Sequence, residues 1–189
     1  SPVSLMPAEL VNKLQRDELI DLVRFLSSLG KTGENVVSKQ QVVRTWQVLA
    51  PGDNIRAVND AIRHNGIEYA TTDDPLLPWQ THYSHVDGSL RLQPLSWMGN
   101  INGKALQFAR FGVEVIQAGK IGFRIENPQG LRMWVDDQEL EVGQNITVEL
   151  STGQHRVTVA SDSRARSMAP IRIELVPVPD STGQAKLVN

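Results

Sequence analysis

The composition of this 189-residue chain excludes several classes of function. Hydrophobic residues make up 40% of it, enough for a packed core, and the formal net charge is −2. A charge so near zero gives no electrostatic reason to expect nucleic acid or an acidic membrane as partner. No run of about 18 apolar residues occurs, so no membrane span is predicted. Since cysteine is absent, the chain has no disulfide, thiol catalyst, iron–sulfur cluster or thioether-linked haem of its own.

The first 30 residues are predicted to form a short helical hairpin. Pro7 suits the first turn of a helix at about residues 7–14, and Gly30 is a plausible end for a longer one. An apolar stripe runs along this second helix at helical spacing: Leu19, Leu22, Val23, Leu26 and Leu29. Residues 31–41 are polar and are predicted to be a linker.

Residues 42–180 are predicted to form a β-sandwich domain, with a flexible tail at 181–189. Residues 42–49 are predicted to form a strand and residues 55–66 a helix. Residues 69–88 are predicted to be a long irregular stretch that wraps the sheet.

Beyond residue 90, short segments alternate apolar and polar residues and are separated by turn residues, which is typical of antiparallel strands. The fold class expected is therefore mainly β, an antiparallel sandwich of jelly-roll type. The side chains predicted to share one core between two sheets are Ile121, Phe123, Ile125, Met133, Val135, Val148, Val157, Val159, Ile173 and Leu175.

The segment SPVSLMPAELVNKLQRDELIDLVRFLSSLGK resembles the C-terminal end of the c-type cytochrome domain of planctomycete and verrucomicrobial secreted proteins. The match consists of Ser4-Leu5-Met6-Pro7, then Leu14, Glu18-Leu19, Asp21-Leu22 and Phe25-Leu26. It covers about the first 30 residues. The resemblance implies a parent that is a large, exported, membrane-bound or periplasmic dehydrogenase with an attached haem domain, and it implies a periplasmic or secreted location for this segment.

In such cytochromes a Met-Pro before the last helix commonly supplies the sixth iron ligand, so the resemblance implies that Met6 is the axial ligand of haem c in the intact parent. The haem attachment sequence Cys-x-x-Cys-His is missing here, and we expect it upstream of Ser1. No haem is therefore expected in this chain itself, where Met6 is an ordinary apolar residue. The upstream cytochrome domain is the partner that the resemblance implies.

A second, looser resemblance concerns the strands. GKIGFRIENPQGLRMWVDDQEL, followed by VELSTGQHRVTV, is similar to the pattern of PA14 and carbohydrate-binding modules. In that pattern one strand leads into a Trp-x-Asp turn and a later strand follows a Gly-x-His turn. The resemblance implies an architecture, not a ligand.

Trp134, Asp136 and Asp137 are the candidate ligand-binding residues. Trp134 is out of phase with the apolar residues of its strand, so it lies on the face opposite the core. There an indole ring can stack on a sugar while the aspartates accept hydrogen bonds from its hydroxyls. Two alternatives stay open: Trp134 packs beneath residues 69–88, and the aspartates merely form a tight turn. Calcium at the aspartates is a further option, although two carboxylates are few for it.

Other patterns carry less chemistry. His82 and His85 lack a third zinc ligand nearby. Ser84, His85 and Asp87 lie too close together in sequence to form a hydrolase triad. No metal site is therefore predicted. The remaining large aromatics, expected to be core or loop anchors, are Trp46, Trp79, Tyr83 and Trp97.

These observations favour a non-catalytic accessory or interaction module in an exported haem-containing redox protein. The alternative is a carbohydrate-binding module. An exposed aromatic surface beside polar side chains distinguishes the second from the first.

Overall fold

The computed structural model describes residues 20, 23, 26, 27, 41–92, 100–101, 103–167 and 169–188. The chain divides into two units, Ser1–Val37 and Ser38–Asn189. In the first unit the described residues are helical, as predicted there, and Val23 and Leu26 are 56% and 55% exposed. Met6, Trp97 and residues 31–40 of the predicted linker at 31–41 lie outside the described residues, whereas Gln41 lies in a strand and not in a linker.

The second unit is mainly β. One α-helix, α1 (Ile55–Asn65), lies between the 3-10 turns Gly52–Asn54 and Ile67–Thr71. The strands, in chain order, are β1 (Gln41–Val42), β2 (Thr45–Leu49), β3 (Trp79–Tyr83), β4 (Asn100–Ile101), β5 (Lys104–Gln117), β6 (Gly119–Glu126), β7 (Leu131–Val135), β8 (Gln138–Leu140), β9 (Asn145–Leu150), β10 (Gly153–Asp162), β11 (Arg172–Val176) and β12 (Gln184–Val188).

The strands form two antiparallel sheets, so the predicted sandwich is confirmed. The smaller sheet has the order β1–β11–β6–β9, and the larger has the order β3–β2–β5–β10–β7–β8. The strand β5 spans 14 residues, pairs with β10 along most of its length and also pairs with β2, β4 and β12. Most consecutive strands lie in different sheets, so the chain crosses repeatedly from one layer to the other.

The main core lies between the sheets and contains all ten side chains predicted for it, with Val148 and Leu175 only partly buried. Alternation along each strand explains this, because every second side chain points into the space between the layers. At its centre Trp46, Phe111 and Phe123 form edge-to-face pairs with centroids 5.1 Å and 6.4 Å apart.

A second core covers part of the outer face of the larger sheet. There α1 and the turn after it pack Val58, Ile62 and Ala70 onto the sheet. The sheet contributes Leu49, Leu106, Phe108, Trp134 and Ala160. The amphipathic pattern of α1 therefore serves this sheet, and the helix ends before Gly66 as predicted.

Two further sequence predictions are wrong. The tail predicted to be flexible at 181–189 is ordered over its described residues, 181–188, because β12 pairs with β5 in the larger sheet and Leu187 packs against the main core. Residues 69–88 are not wholly irregular, because they contain β3, which pairs with β2 over five residues. None of the helices in the described parts of the chain has the length and apolarity that a membrane span needs.

Candidate binding groove

A groove of 640 Å³ opens on the outer face of the larger sheet. The polar and aromatic side chains that we use to define it are Thr45, Gln47, Thr81, Tyr83, Arg110 and Arg156. Strand register places them side by side: Thr45 is opposite Tyr83, and Gln47 lies between Thr81 and Arg110. On β10, Arg156 faces Gly112 of β5, which has no side chain to fill the space between the strands.

One continuous row of side chains crosses the outer face of the larger sheet and is covered at one end only. It runs across six strands through Thr81, Gln47, Arg110, Thr158, Trp134 and Glu139. At the Trp134 end the second core covers the row. At the Thr81 end the row is free of that cover and forms one side of the groove.

Tyr83 ends β3, the edge strand of the larger sheet, and is 73% exposed. Among the described residues it is the only aromatic side chain that is largely exposed. Thr81 and Trp79 lie on the same face of β3 because side chains alternate along a strand. The groove therefore has an accessible aromatic ring beside a line of polar side chains.

Arg110 is held rigidly in the groove wall. Its Nε donates to Gln47 Oε1 at 2.7 Å, and its Nη1 donates to Asp73 Oδ1 at 3.1 Å. Its guanidinium carbon also lies 4.2 Å from the centre of the Trp79 ring, a cation–π arrangement. Burial, and then the charge of Arg156, lower the pKa of Arg110 despite the partly offsetting effect of Asp73.

Arg156 connects the sheet to the segment after α1. Its Nη1 donates to Asp73 Oδ1 at 2.5 Å, and its Nη2 donates to the Thr71 carbonyl at 2.8 Å. The hydrogen bond from Arg156 is the main reason why the pKa of Asp73 is lowered. One carboxylate oxygen of Asp73 thus accepts hydrogen bonds from two arginines. Together with the bond to the Thr71 carbonyl, these hold residues 71–73 beside the groove.

Asp136 and His155 line the groove next to Arg156. His155 Nδ1 lies 2.9 Å from Asp136 Oδ2, and His155 Nε2 lies 2.8 Å from the Ser151 carbonyl oxygen. Burial lowers the pKa of His155, but these two acceptors outweigh it and the net shift is upward. Asp136 Oδ1 accepts from the backbone N–H of Arg156 at 2.9 Å.

The structure separates the three residues predicted to bind ligand. Trp134 lies on the face opposite the main core, as predicted, but it is 1% exposed beneath α1 and the following segment. Stacking of a sugar on Trp134 is therefore wrong, and the alternative of packing is confirmed. Asp136 lines the groove, whereas Asp137 is exposed in the turn. Both carboxylate oxygens of Asp136 accept hydrogen bonds from protein groups, which argues against the calcium option.

Sequence reasoning missed Tyr83 and the two arginines of the groove. Trp46 is a core anchor as predicted, but Tyr83 is not buried. Every second residue from Trp79 to Tyr83 (Trp79, Thr81 and Tyr83) is of a type common in strands, and this pattern could have predicted β3 within the stretch that was expected to be irregular. The arginines had no local signal, because Asp73 is 37 residues from Arg110 and 83 from Arg156.

Ser84 has a structural role instead of a catalytic one. Its Oγ donates to the Val43 carbonyl at 2.7 Å and accepts from Trp46 Nε1 at 2.8 Å, so it connects β2 to the end of β3. Within the described ranges, no group of three histidine, aspartate or glutamate side chains is placed to hold a metal ion.

No protein-family model matches this chain, and no curated protein matches it. Among solved structures, it is similar to a family two carbohydrate esterase from Clostridium thermocellum in complex with cellohexaose, with a TM-score of 0.25, 12% identity, and coverage of 46% of this chain and 26% of the esterase.

It is also similar to a β-glucuronidase from an uncultured Clostridium, with a TM-score of 0.37 and 8% identity over 83% of this chain and 35% of the enzyme. A Ruminococcus gnavus β-glucuronidase in complex with uronic isofagomine has a TM-score of 0.36 and 7% identity, over 85% of this chain and 34% of the enzyme. This chain spans only about a quarter to a third of these enzymes. Likenesses of this size bear on neither activity nor ligand.

Proposed function

We propose that this chain is a non-catalytic accessory module of an exported redox protein, and that it binds carbohydrate in the groove beside Tyr83. The observation that supports carbohydrate over a simple spacer is the exposed tyrosine ring next to polar side chains. A sugar has an apolar ring face and a rim of hydroxyls, so its recognition needs both kinds of surface. A groove of 640 Å³ also lies in the range of about 300–1,000 Å³ that is typical of ligand sites.

The polar side chains of the groove are suited to hydrogen bonding with hydroxyls. The amide of Gln47 gives its oxygen to Arg110, which leaves its NH₂ group as a donor toward the ligand. The hydroxyls of Thr45 and Thr81 can donate or accept. Because Gln47 is already oriented by Arg110, little side-chain freedom is lost when it binds.

The two aspartates of the groove are suited to holding neighbouring side chains and not to proton transfer. Asp73 is ionised through its arginine partners, and Asp136 is engaged on both oxygens. A general acid or base needs a pKa near the working pH and access to the substrate. The lowered pKa of Asp73 is the opposite of what a general acid requires.

The redox parent is supported by the sequence resemblance of residues 1–30 to the end of a cytochrome domain. Met6 is the residue that would be the axial ligand in that parent. This chain has no cysteine, so it cannot attach haem c through thioether bonds by itself. The genomic sequence upstream of Ser1 tests the proposal: it should encode Cys-x-x-Cys-His, and a gene without that motif refutes the haem parent.

Affinity electrophoresis tests the carbohydrate function. The chain is run in native gels that contain a panel of neutral and acidic plant, algal and microbial polysaccharides. We expect retardation by at least one polymer, and at least a tenfold loss of affinity in Tyr83→Ala with an unchanged melting temperature. Ile116→Ala is the matched control, because Ile116 is also exposed but lies outside the groove. Migration unaffected by every polymer, or equal loss in the control, overturns the proposal.

A further inference from the structure

We propose that the saccharide bound by the groove carries a carboxylate, as a uronic acid does, and that Arg110 is the residue that binds this group. The inference rests on the carbohydrate-binding function proposed above. It concerns the charge of the ligand, which that function leaves open.

Among the described residues, the two arginines of the groove share a single carboxylate partner. Arg110 and Arg156 both donate to the same oxygen, Oδ1 of Asp73. Within the cluster of Arg110, Arg156 and Asp73, two positive charges and one negative charge leave an excess of one positive charge. An additional anion in the groove would offset the repulsion between the two guanidinium groups.

The other charged groups around the groove do not neutralise this excess at Arg110. Asp136 contacts His155 and the backbone N–H of Arg156, not a guanidinium group. Glu114, on the same face of β5, forms an ion pair with Lys186 at 3.0 Å. Each of these acidic side chains therefore already has a partner of its own.

Arg110 presents an unused donor in a fixed orientation. Gln47 and Asp73 take Nε and Nη1, and the Trp79 ring fixes the guanidinium plane. The remaining nitrogen, Nη2, makes no hydrogen bond within the part of the chain that the structure describes. The side chain is only 12% exposed, so a hydrogen bond from it to a carboxylate is less screened by water than one at the open surface.

The positions of Tyr83 and Arg110 suit two parts of one oligosaccharide. Arg110 lies in the same row as Thr81, two strands away, and Tyr83 lies two residues along β3 from Thr81. Neighbouring strands are about 4.8 Å apart, so roughly 10 Å separates Arg110 from β3 across the sheet. Both side chains line the same groove, with the Arg110 guanidinium on the Trp79 side of Thr81 and Tyr83 on the other side, so an oligosaccharide with one ring on Tyr83 can present a carboxylate to Arg110 from further along its chain.

The test compares polymers that differ only in the charge of the carboxyl group. Wild-type chain is run in native gels with polygalacturonate and with its fully methyl-esterified form, and with alginate and its propylene glycol ester. We expect at least one acid to bind at least tenfold more tightly than its ester, with affinity that falls as salt is added. Equal binding of acid and ester, or binding to neutral polymers alone, overturns the inference and leaves the carbohydrate function standing. Binding to nothing at all overturns both.

The role of Arg110 is tested by Arg110→Gln against Arg164→Gln, which removes the same charge from an exposed loop. We expect Arg110→Gln to lose at least tenfold more affinity for the acid than for the ester, and Arg164→Gln to bind both polymers as wild type does. Arg110→Lys should give an intermediate loss, since it keeps the charge without the planar donor set. Equal losses in Arg110→Gln and Arg164→Gln indicate non-specific attraction and overturn the assignment. If Arg110→Gln does not fold, the wild-type comparison of acid with ester decides the ligand charge alone.

Discussion

At the scale of single residues, Trp134 and Phe123 are two of the largest buried side chains, and they lie in different cores. Replacing either by alanine leaves a cavity, so we expect each variant to lose about 3–5 kcal/mol of unfolding free energy. Urea denaturation followed by circular dichroism measures this, with the exposed Ile116→Ala as control. A loss in Trp134→Ala no greater than in the control would mean that the second core contributes little to stability.

We expect the stability of the second unit to depend on pH near neutrality through His155. Its pKa is raised in the folded state, because Asp136 and the Ser151 carbonyl both favour the protonated ring over the effect of burial. The stabilisation is therefore fully present below the unfolded pKa of about 6.5, and it is lost as the pH rises through the folded pKa. Urea denaturation at a series of pH values should show this fall in wild type and a flatter profile in His155→Gln. Titration of His155 by NMR should give a lower pKa in Asp136→Asn.

At the scale of elements, the strand β12 depends on a close approach between two glycines. A Cβ on Gly183 would lie 2.7 Å from the Lys120 carbonyl oxygen and 2.9 Å from the Gly119 carbonyl carbon. Gly119 itself has φ of 145°, which side chains rarely allow. Ser181 Oγ completes the contact by bonding to both the N–H and the carbonyl of Lys120. The turn before β12 is thus fixed to the start of β6.

We therefore expect Gly183→Ala to destabilise the second unit by about 1–3 kcal/mol, since the added methyl group has no space. Hydrogen exchange should also become faster in β12 than in β10, because β12 is released first. Gly143→Ala is the control, since a Cβ there meets nothing closer than 3.8 Å. Similar melting temperatures for the two variants would show that the backbone yields at this contact without cost.

At the scale of the whole second unit, the outer face of the larger sheet is divided into a buried region and an open groove. The outer face of the larger sheet is apolar at one end, where α1 and the segment after it bury Leu49, Phe108 and Trp134. The other end carries threonines, a glutamine and two arginines and forms the groove. Asp73 joins these two regions through both arginines, so the cover of the second core also shapes the edge of the groove.

Much of this fold follows from sequence pattern alone. Period-two alternation at residues such as Ile121, Phe123 and Ile125 predicts which side chains share the main core, because a strand in one register can bury only one face. The spacing of Val58 and Ile62 likewise predicts α1. Turn residues between the segments then favour antiparallel connections and the sandwich class.

Only the tertiary structure decided what covers the other face. Alternation places Trp134 on the face opposite the main core. The same alternation is found whether that ring is exposed to water or buried beneath a helix, so it cannot tell the two apart. The burial of Trp134 and the exposure of Tyr83 therefore depend on where α1 and β3 pack. Arg110, Arg156 and Asp73 come from three distant parts of the chain. Their hydrogen bonds form only when β5 and β10 of the larger sheet and the segment after α1 are assembled. They could not be predicted, because a contact between distant segments leaves no periodic pattern in the sequence.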